Sequence, residues 1–293
     1  MNTAPRYGLI LVFLASIGLI AMPCRAAQPQ RIVSLNLCID QILVDLVPRS
    51  RIAAVTHLAA DPAVSAAPDK ARGLPVTHGA AEDVIARNPD LVLASEFAAR
   101  ASVDLLRRLG LNVVIVPLPQ DYDGVRAVVR QIATAVGEVQ RGDAIISEFD
   151  RRLQAAASRV TADKERPVAL VYQVNSYVSG TGTLVDAALV TAGFRNGASM
   201  FPGDRRGQVS IESIANARPD VLILSAGPDE YATAVSDNLR HPVLAKLMTT
   251  QRMSVLPWSL TLCGTPAIAN AVEQLAQLRP TLPSVSLPPK AMP

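Results

Sequence analysis

Ala81-Glu82-Asp83-Val84-Ile85-Ala86-Arg87-Asn88-Pro89-Asp90-Leu91-Val92-Leu93-Ala94-Ser95 reads as a short helix, a Pro-Asp stop and a buried strand, and the chain carries this unit twice. The second copy is Ile211-Glu212-Ser213-Ile214-Ala215-Asn216-Ala217-Arg218-Pro219-Asp220-Val221-Leu222-Ile223-Leu224-Ser225, aligned without a gap 130 positions later. Glu, Pro, Asp and Ser recur identically. An acidic residue in a first helical turn suits the positive end of the helix dipole, and a proline turns the residue before it away from helix. One such unit is common in α/β proteins. Two copies in register, on either side of a long helical stretch, indicate a duplicated lobe.

Working outward, short apolar strands alternate with helical patterns on both sides. Before and after the first copy come strands at Arg31–Leu35, Ile52–Thr56 and Asn112–Val116, with helices at Ile39–Val47, Ala99–Leu109 and Gly124–Val136. Beyond residue 166 the alternation resumes with strand Val168–Val174, helix Leu184–Ala192, helix Tyr231–Leu247, strand Met253–Leu256 and helix Pro266–Leu278. This grammar predicts βα units around mostly parallel sheets. Between the halves, Ile145, Ile146, Phe149, Leu153, Ala156 and Val160 fall three and four apart with no Gly or Pro between Asp143 and Pro167. One amphipathic helix from Arg141 to about Lys164 is expected, long enough at about 36 Å to brace two lobes. The fold class expected is α/β: two lobes, each a mostly parallel sheet flanked by helices, joined by one long rigid helix. The divisions expected are a leader over 1–26, an N-terminal lobe over 30–138, a connecting helix over 139–165, a C-terminal lobe over 166–280 and a Pro-rich tail over 281–293.

The leader rests on Arg6, the apolar run Leu9–Met22, and the small residues before Ala27. It reads as a secretory signal peptide cleaved after Ala26, too short for a membrane span of about 20 residues. Pro23 before Cys24 disfavours lipid attachment. The formal charge of +3 is weak and evenly spread, which excludes a nucleic-acid footprint. In an oxidising compartment the two remaining cysteines, Cys38 and Cys263, allow three readings: a disulfide between the lobes, separate thiols of which one contacts ligand, or buried inert thiols.

In the order of these elements the chain resembles the periplasmic binding proteins of ABC importers for ferric siderophores, haem and cobalamin, whose lobes are joined by a single helix. The resemblance runs from Arg31-Ile-Val-Ser-Leu35 to Leu278. It is carried by the opening strand, by Glu82 to Leu93 with Asn88-Pro-Asp-Leu-Val-Leu, by the long helix, and by Gln208-Val-Ser-Ile-Glu212 with Arg218-Pro-Asp-Val-Leu. It implies a monomeric periplasmic receptor and no enzyme, with no resident cofactor and no metal site of its own. Ferric siderophore or haem is favoured as ligand, with cobalamin also open. It implies that Glu82 and Glu212, one on each lobe tip, dock on the membrane permease, and that the cleft closes only modestly because the helix is stiff.

Ligands of open α/β sheets bind beyond the carboxyl ends of strands, so the candidates are post-strand residues: Asn36, Cys38, His57, His78, Phe97, Tyr177, Arg205, Arg206, Trp258 and Cys263. Tyr177 and Trp258 offer flat faces. His57 and His78 can ligate iron in haem or another chelate. Arg205 and Arg206 can pair with carboxylates or phenolates. Tyr177 matches a cleft aromatic of the cobalamin branch, but the tryptophans of that branch are lacking around His78 and at Arg206. Two rival readings stay open: a periplasmic enzyme using Cys38 with His57 and Asp40, and a sensor or adaptor on the same fold.

Overall fold

The computed structural model describes residues 28–98, 100–160, 166–173, 176–201, 206–225, 241–242 and 252–281. The expected leader, Arg205, most of the helix expected over Tyr231–Leu247 and the tail beyond Thr281 lie outside the described residues.

The N-terminal half runs β1 (Ile32–Ser34), α1 (Leu37–Leu46), β2 (Ile52–Thr56), α2 (Pro68–Ala71), β3 (Val76–Thr77), α3 (Ala81–Ala86), β4 (Leu91–Ser95), α4 (Arg100–Arg108), β5 (Val113–Val116) and α5 (Tyr122–Val136). The strands form one sheet in the order β3-β2-β1-β4-β5, every pair parallel. Both faces are covered, as parallel sheets require. Ile39, Ile42 and Leu43 of α1 and Val129 and Ile132 of α5 pack on one face. Ala81 and Val84 of α3 and Leu106 of α4 pack on the other.

α6 (Val139–Ala157) leads to β6 (Val168–Gln173), β7 (Tyr177–Ser179), α7 (Leu184–Thr191), β8 (Arg195–Asn196), β9 (Arg206–Gln208), α8 (Ile211–Ala217), β10 (Val221–Leu224), β11 (Arg252–Val255) and α9 (Ile268–Leu278). The second sheet is ordered β11-β10-β6-β7-β9, with β8 also on β6. β7 is antiparallel to both its neighbours and the other pairings are parallel. Among the described residues no helix is long and apolar enough to cross a membrane.

α6 joins the halves through its side chains: Ile146 enters the N-terminal core, whereas Phe149, Leu153 and Ala156 enter the C-terminal one. It is shorter than its periodicity suggested. The helix ends at Ala157, so its 19 residues span about 28 Å. The Arg159 and Val160 amides tighten onto the carbonyls three residues back, and Val160 is seated against Gly193, where a Cβ would lie 2.5 Å from its methyl. Docking of this last apolar residue ends the helix without a Gly or Pro signal.

The repeated unit recurs in backbone detail. Asn88 and Arg218, at equivalent positions, both take left-handed φ, 45° and 49°. The repeated aspartates each clamp the start of their lobe's first strand: Asp90 accepts from the Gln30 and Arg31 amides at 2.6 and 2.9 Å, and Asp220 from the Val168 amide at 2.7 Å.

Candidate functional site

Parallel register builds the site. Val55 pairs with Val76 and Thr56 with Thr77, so the next residues along, His57 and His78, emerge side by side past the strand ends. Their rings stack with centroids 4.9 Å apart and planes inclined by 29°, and both residues are exposed. Two features fix these loops. The His78 amide donates to Asp83 in the first turn of α3, at 3.3 Å. Behind His57, the Thr56 amide and hydroxyl both donate to Asp40, at 3.1 and 2.5 Å. Asp40 is 1% exposed, and burial pushes its carboxyl up to about 7, against the lowering influence of the neighbouring Ser34 hydroxyl and of the Thr56 hydrogen bonds.

Further along the same face, Asn36 caps α1 by accepting from the Cys38 and Ile39 amides at 2.9 and 3.3 Å. That commits its carbonyl to the helix. Glu96 likewise holds the loop after β5, accepting from the Leu118 amide at 2.7 Å. Phe97 is 75% exposed and, with Leu118, Pro119, Asn36 and Cys38, borders a hollow of about 40 Å³.

Cys38 and Cys263 form a disulfide across 225 residues of sequence, with their α-carbons 5.1 Å apart. This selects one of the three readings and removes two. Neither cysteine is a free thiol for a ligand, and they are not inert separate thiols. The enzyme reading loses its nucleophile as well, and its Asp40 is held by Thr56 rather than oriented toward an imidazole. Cys38 follows β1 and Cys263 follows β11, so the bond also shows that the carboxyl ends of the two sheets meet. Gly264 confirms it from the next position, lying so close to Pro119 that a Cβ would sit 2.8 Å from that ring.

On the C-terminal side, Tyr177 pairs with Gln173, the last residue of β6, which places it at the carboxyl end of that strand, half-buried. Trp258 opens a 3-10 turn after β11. Arg206 departs from expectation: it is a ladder residue of β9, paired with Ser179 two positions down β7 from Tyr177, and not part of a post-strand loop. Short hairpin strands flanked by Gly and Pro gave no period-two signal that could have placed it. Among the described residues, no three His, Cys, Asp or Glu groups are placed to hold a metal ion. A separate cavity of about 580 Å³, lined by Gln41, Ile42, Lys70, Ile145, Phe149 and Thr265 among others, lies toward α6. Of the charged residues that line it, Lys70 pairs with Asp45 at 2.5 Å and Arg152 with Glu273 at 2.6 Å.

Two α/β lobes with one joining helix, their carboxyl strand ends brought together at the Cys38–Cys263 bond, are the architecture of a solute-binding protein. The periplasmic binding protein family model matches residues 32–258, and the chain belongs to that family, whose members serve ABC importers. Among solved structures it is similar to the periplasmic haem-binding protein RhuT of Roseiflexus sp. RS-1, at 25% identity and a TM-score of 0.70, over 85% of this chain and 97% of that one. It is similar to the periplasmic haem-binding protein BhuT in complex with two haems, at 26% identity and 0.68, over 84% and 96%. The periplasmic vitamin B12 binding protein BtuF of Vibrio cholerae, at 19% identity and 0.65 over 87% and 98%, shares the fold. No curated protein sequence is significantly similar to the chain.

Proposed function

We propose that this chain is exported through its first 26 residues, captures a metal chelate at the strand-end face, and delivers it to a membrane permease without covalent chemistry. Haem is the cargo the site suits best. The observation that carries this reading is the stacked His57–His78 pair, because neutral imidazole is a ready ligand for haem iron. Phe97 supplies exposed apolar surface two strands away, about 10 Å across the face. Tyr177 and Trp258 would flank the ring from the other lobe, and Arg205 and Arg206 would meet its carboxylates. The likeness to two haem-binding proteins at 25% and 26% identity supports the same cargo.

Titration of the purified protein with haemin, a ferric siderophore and a corrinoid tests it. Haemin should give a Soret shift that the His57→Ala/His78→Ala variant loses. Binding of the siderophore or corrinoid in place of haemin would overturn the cargo and leave the receptor reading standing. For the permease, both Glu82 and Glu212 are exposed in first turns. Glu82→Lys with Glu212→Lys should abolish uptake and leave haemin affinity within about twofold, as rim charges remote from a pocket do; lost affinity would sink the docking role.

A further inference from the structure

Register sets a row of side chains on the C-terminal sheet as well. Residues directly opposite each other on neighbouring strands share a face of the sheet. Gln173 of β6 lies opposite Tyr177 of β7, and Tyr177 lies opposite Gln208 of β9. On the other side of β6, Leu224 of β10 is in register with Tyr172. The next amide, that of Ser225, donates to the Tyr172 carbonyl at 3.1 Å, which brings Ser225 level with Gln173. Ser225, Gln173, Tyr177 and Gln208 therefore form one line across neighbouring strands, about 14 Å long at the usual strand spacing. The line follows the carboxyl ends of β10, β6 and β9, where open α/β sheets take their ligands.

This row is polar on a face that is apolar one step inward, where β10 and β6 carry Ile223 and Val171 into the C-terminal core. Exposure rises along it: Ser225 is 1% exposed, Gln173 and Tyr177 are half-buried, and Gln208 is exposed. At the buried end, Ser225 Oγ has no hydrogen-bond partner among the described residues. The middle of the row is held in place by strain. Ser176, just before Tyr177, takes a φ of 59°, a left-handed conformation unfavourable for most residues other than Gly. Its hydroxyl accepts from that of the buried Tyr172 at 3.0 Å, and its carbonyl accepts from the Val209 amide at 2.9 Å. These two bonds fix the start of β7 against both neighbouring strands.

We infer that Gln173 and Gln208, on either side of Tyr177, form a hydrogen-bonding shelf of the ligand site that receives the carboxylate edge of a chelate. Their side-chain amides donate N–H to carboxylate oxygens, a charge-assisted bond of the stronger kind, and no acidic residue in the row opposes it. Beside Arg205 and Arg206, the carboxylates thus gain neutral donors carried on strands. Ser225 is a positioning residue: its hydroxyl donates to the Gln173 side-chain oxygen when ligand is bound and turns the amide N–H outward. The inference rests on the strand-end face being the ligand site, and not on haem being the cargo.

Haemin and its dimethyl ester, in which the carboxylates are blocked, are titrated against the native protein, the Gln173→Leu/Gln208→Leu variant and Ser225→Ala. Ferric citrate and a trihydroxamate ferric chelate without carboxylates are titrated alongside. The native protein should bind haemin about tenfold or more tightly than the ester. The double variant should narrow that ratio to about twofold by weakening haemin alone, and Gln208→Leu, at an exposed position, should narrow it in part even if the double variant fails to fold. Ser225→Ala should weaken haemin severalfold with a thermal midpoint unchanged or raised, because a hydroxyl without a partner has no bond to lose. A lowered midpoint with unchanged affinity would overturn the role of Ser225. Equal losses for haemin and ester, or no loss for either, would overturn the shelf and leave the receptor reading intact. Binding of ferric citrate in place of haemin would change the cargo alone, and the same variants should then weaken ferric citrate. Binding of the trihydroxamate alone would overturn the shelf and spare the receptor reading; binding of none of the four would overturn both.

Discussion

The two lobes repeat a plan and spend it differently. Each begins with a strand whose first amides are clamped by the Pro-Asp aspartate of its repeated unit, and each follows with a helix carrying an aspartate in its opening turn, Asp40 in α1 and Asp186 in α7. Asp186 is satisfied, accepting from the Gly182 amide and the Asn196 side chain at 3.0 and 3.1 Å. Asp40 is not: its Oδ1 is buried without a hydrogen-bond partner among the described residues. The N-terminal lobe thus keeps an unfavourable group directly beneath the histidine loops, and the C-terminal lobe does not. A buried, under-satisfied carboxyl is a cost that a purely structural lobe has no reason to retain.

The sharpest way to break this comparison is to make the same substitution in both lobes. Folded Asp40 keeps its proton up to about pH 7, whereas the unfolded chain releases it near 3.8. The folded state therefore binds the extra proton between those values, so stability falls as pH rises from about 4 to about 7 and is level outside that window. The full span is worth up to roughly 4 kcal/mol. Asp40→Asn should flatten the profile and stabilise the protein above pH 7, read as denaturant midpoints from pH 4 to 8. Asp186→Asn should instead destabilise by about 1–2 kcal/mol, because one accepting oxygen becomes a donor facing a donor. Equal signs for the two would dissolve the distinction.

The ends of α6 offer the next contrast. A Cβ on Gly142 would lie 2.5 Å from the Ala133 methyl on α5, a short side chain fixed to its helix, so the helices themselves must part. Gly142→Ala should cost about 2–3 kcal/mol. At the far end a Cβ on Gly193 would meet the Val160 methyls, at 2.5 and 3.2 Å, beyond the helix end where that side chain can turn aside, and the glycine holds φ at +85°, so Gly193→Ala should cost about 1–2 kcal/mol, mostly as backbone strain. Urea midpoints decide the order; a larger loss at Gly193 would mean that α6 is anchored chiefly in the C-terminal lobe.

What could be read in the residues follows from this duplication. The repeat between 81–95 and 211–225, with the apolar runs around it, placed both sheets, because helix period and buried strands are local signals. His57 and His78 were legible as post-strand residues, but their stacking depends on the register of β2 against β3, which no local pattern records. The role of Asp90 and Asp220 as clamps is equally non-local, since their partners lie at the far end of each lobe's sequence. The end of α6 at Ala157 depends on Gly193, and the antiparallel β7 and β9 are too short to show alternation. The disulfide was one of three open readings until the lobes were placed together.

The clamps and the left-handed residues of the repeat give the finest comparisons. Asp90 holds two amides and Asp220 one among the described residues, so Asp90→Ala should cost about 2 kcal/mol and Asp220→Ala about 1 kcal/mol, discounted for the exposure of Asp90. Smaller still is the effect at the helix ends. Asn tolerates left-handed φ by bonding locally, whereas a long side chain does not. Arg218→Gly should therefore stabilise by about 0.5–1 kcal/mol and Asn88→Gly by little or nothing. Both can be read from thermal midpoints at one pH. Should the two respond alike, the shared φ would be imposed by the lobe around it with no cost to the residue, and the equivalence of the two units would extend below the level of their side chains.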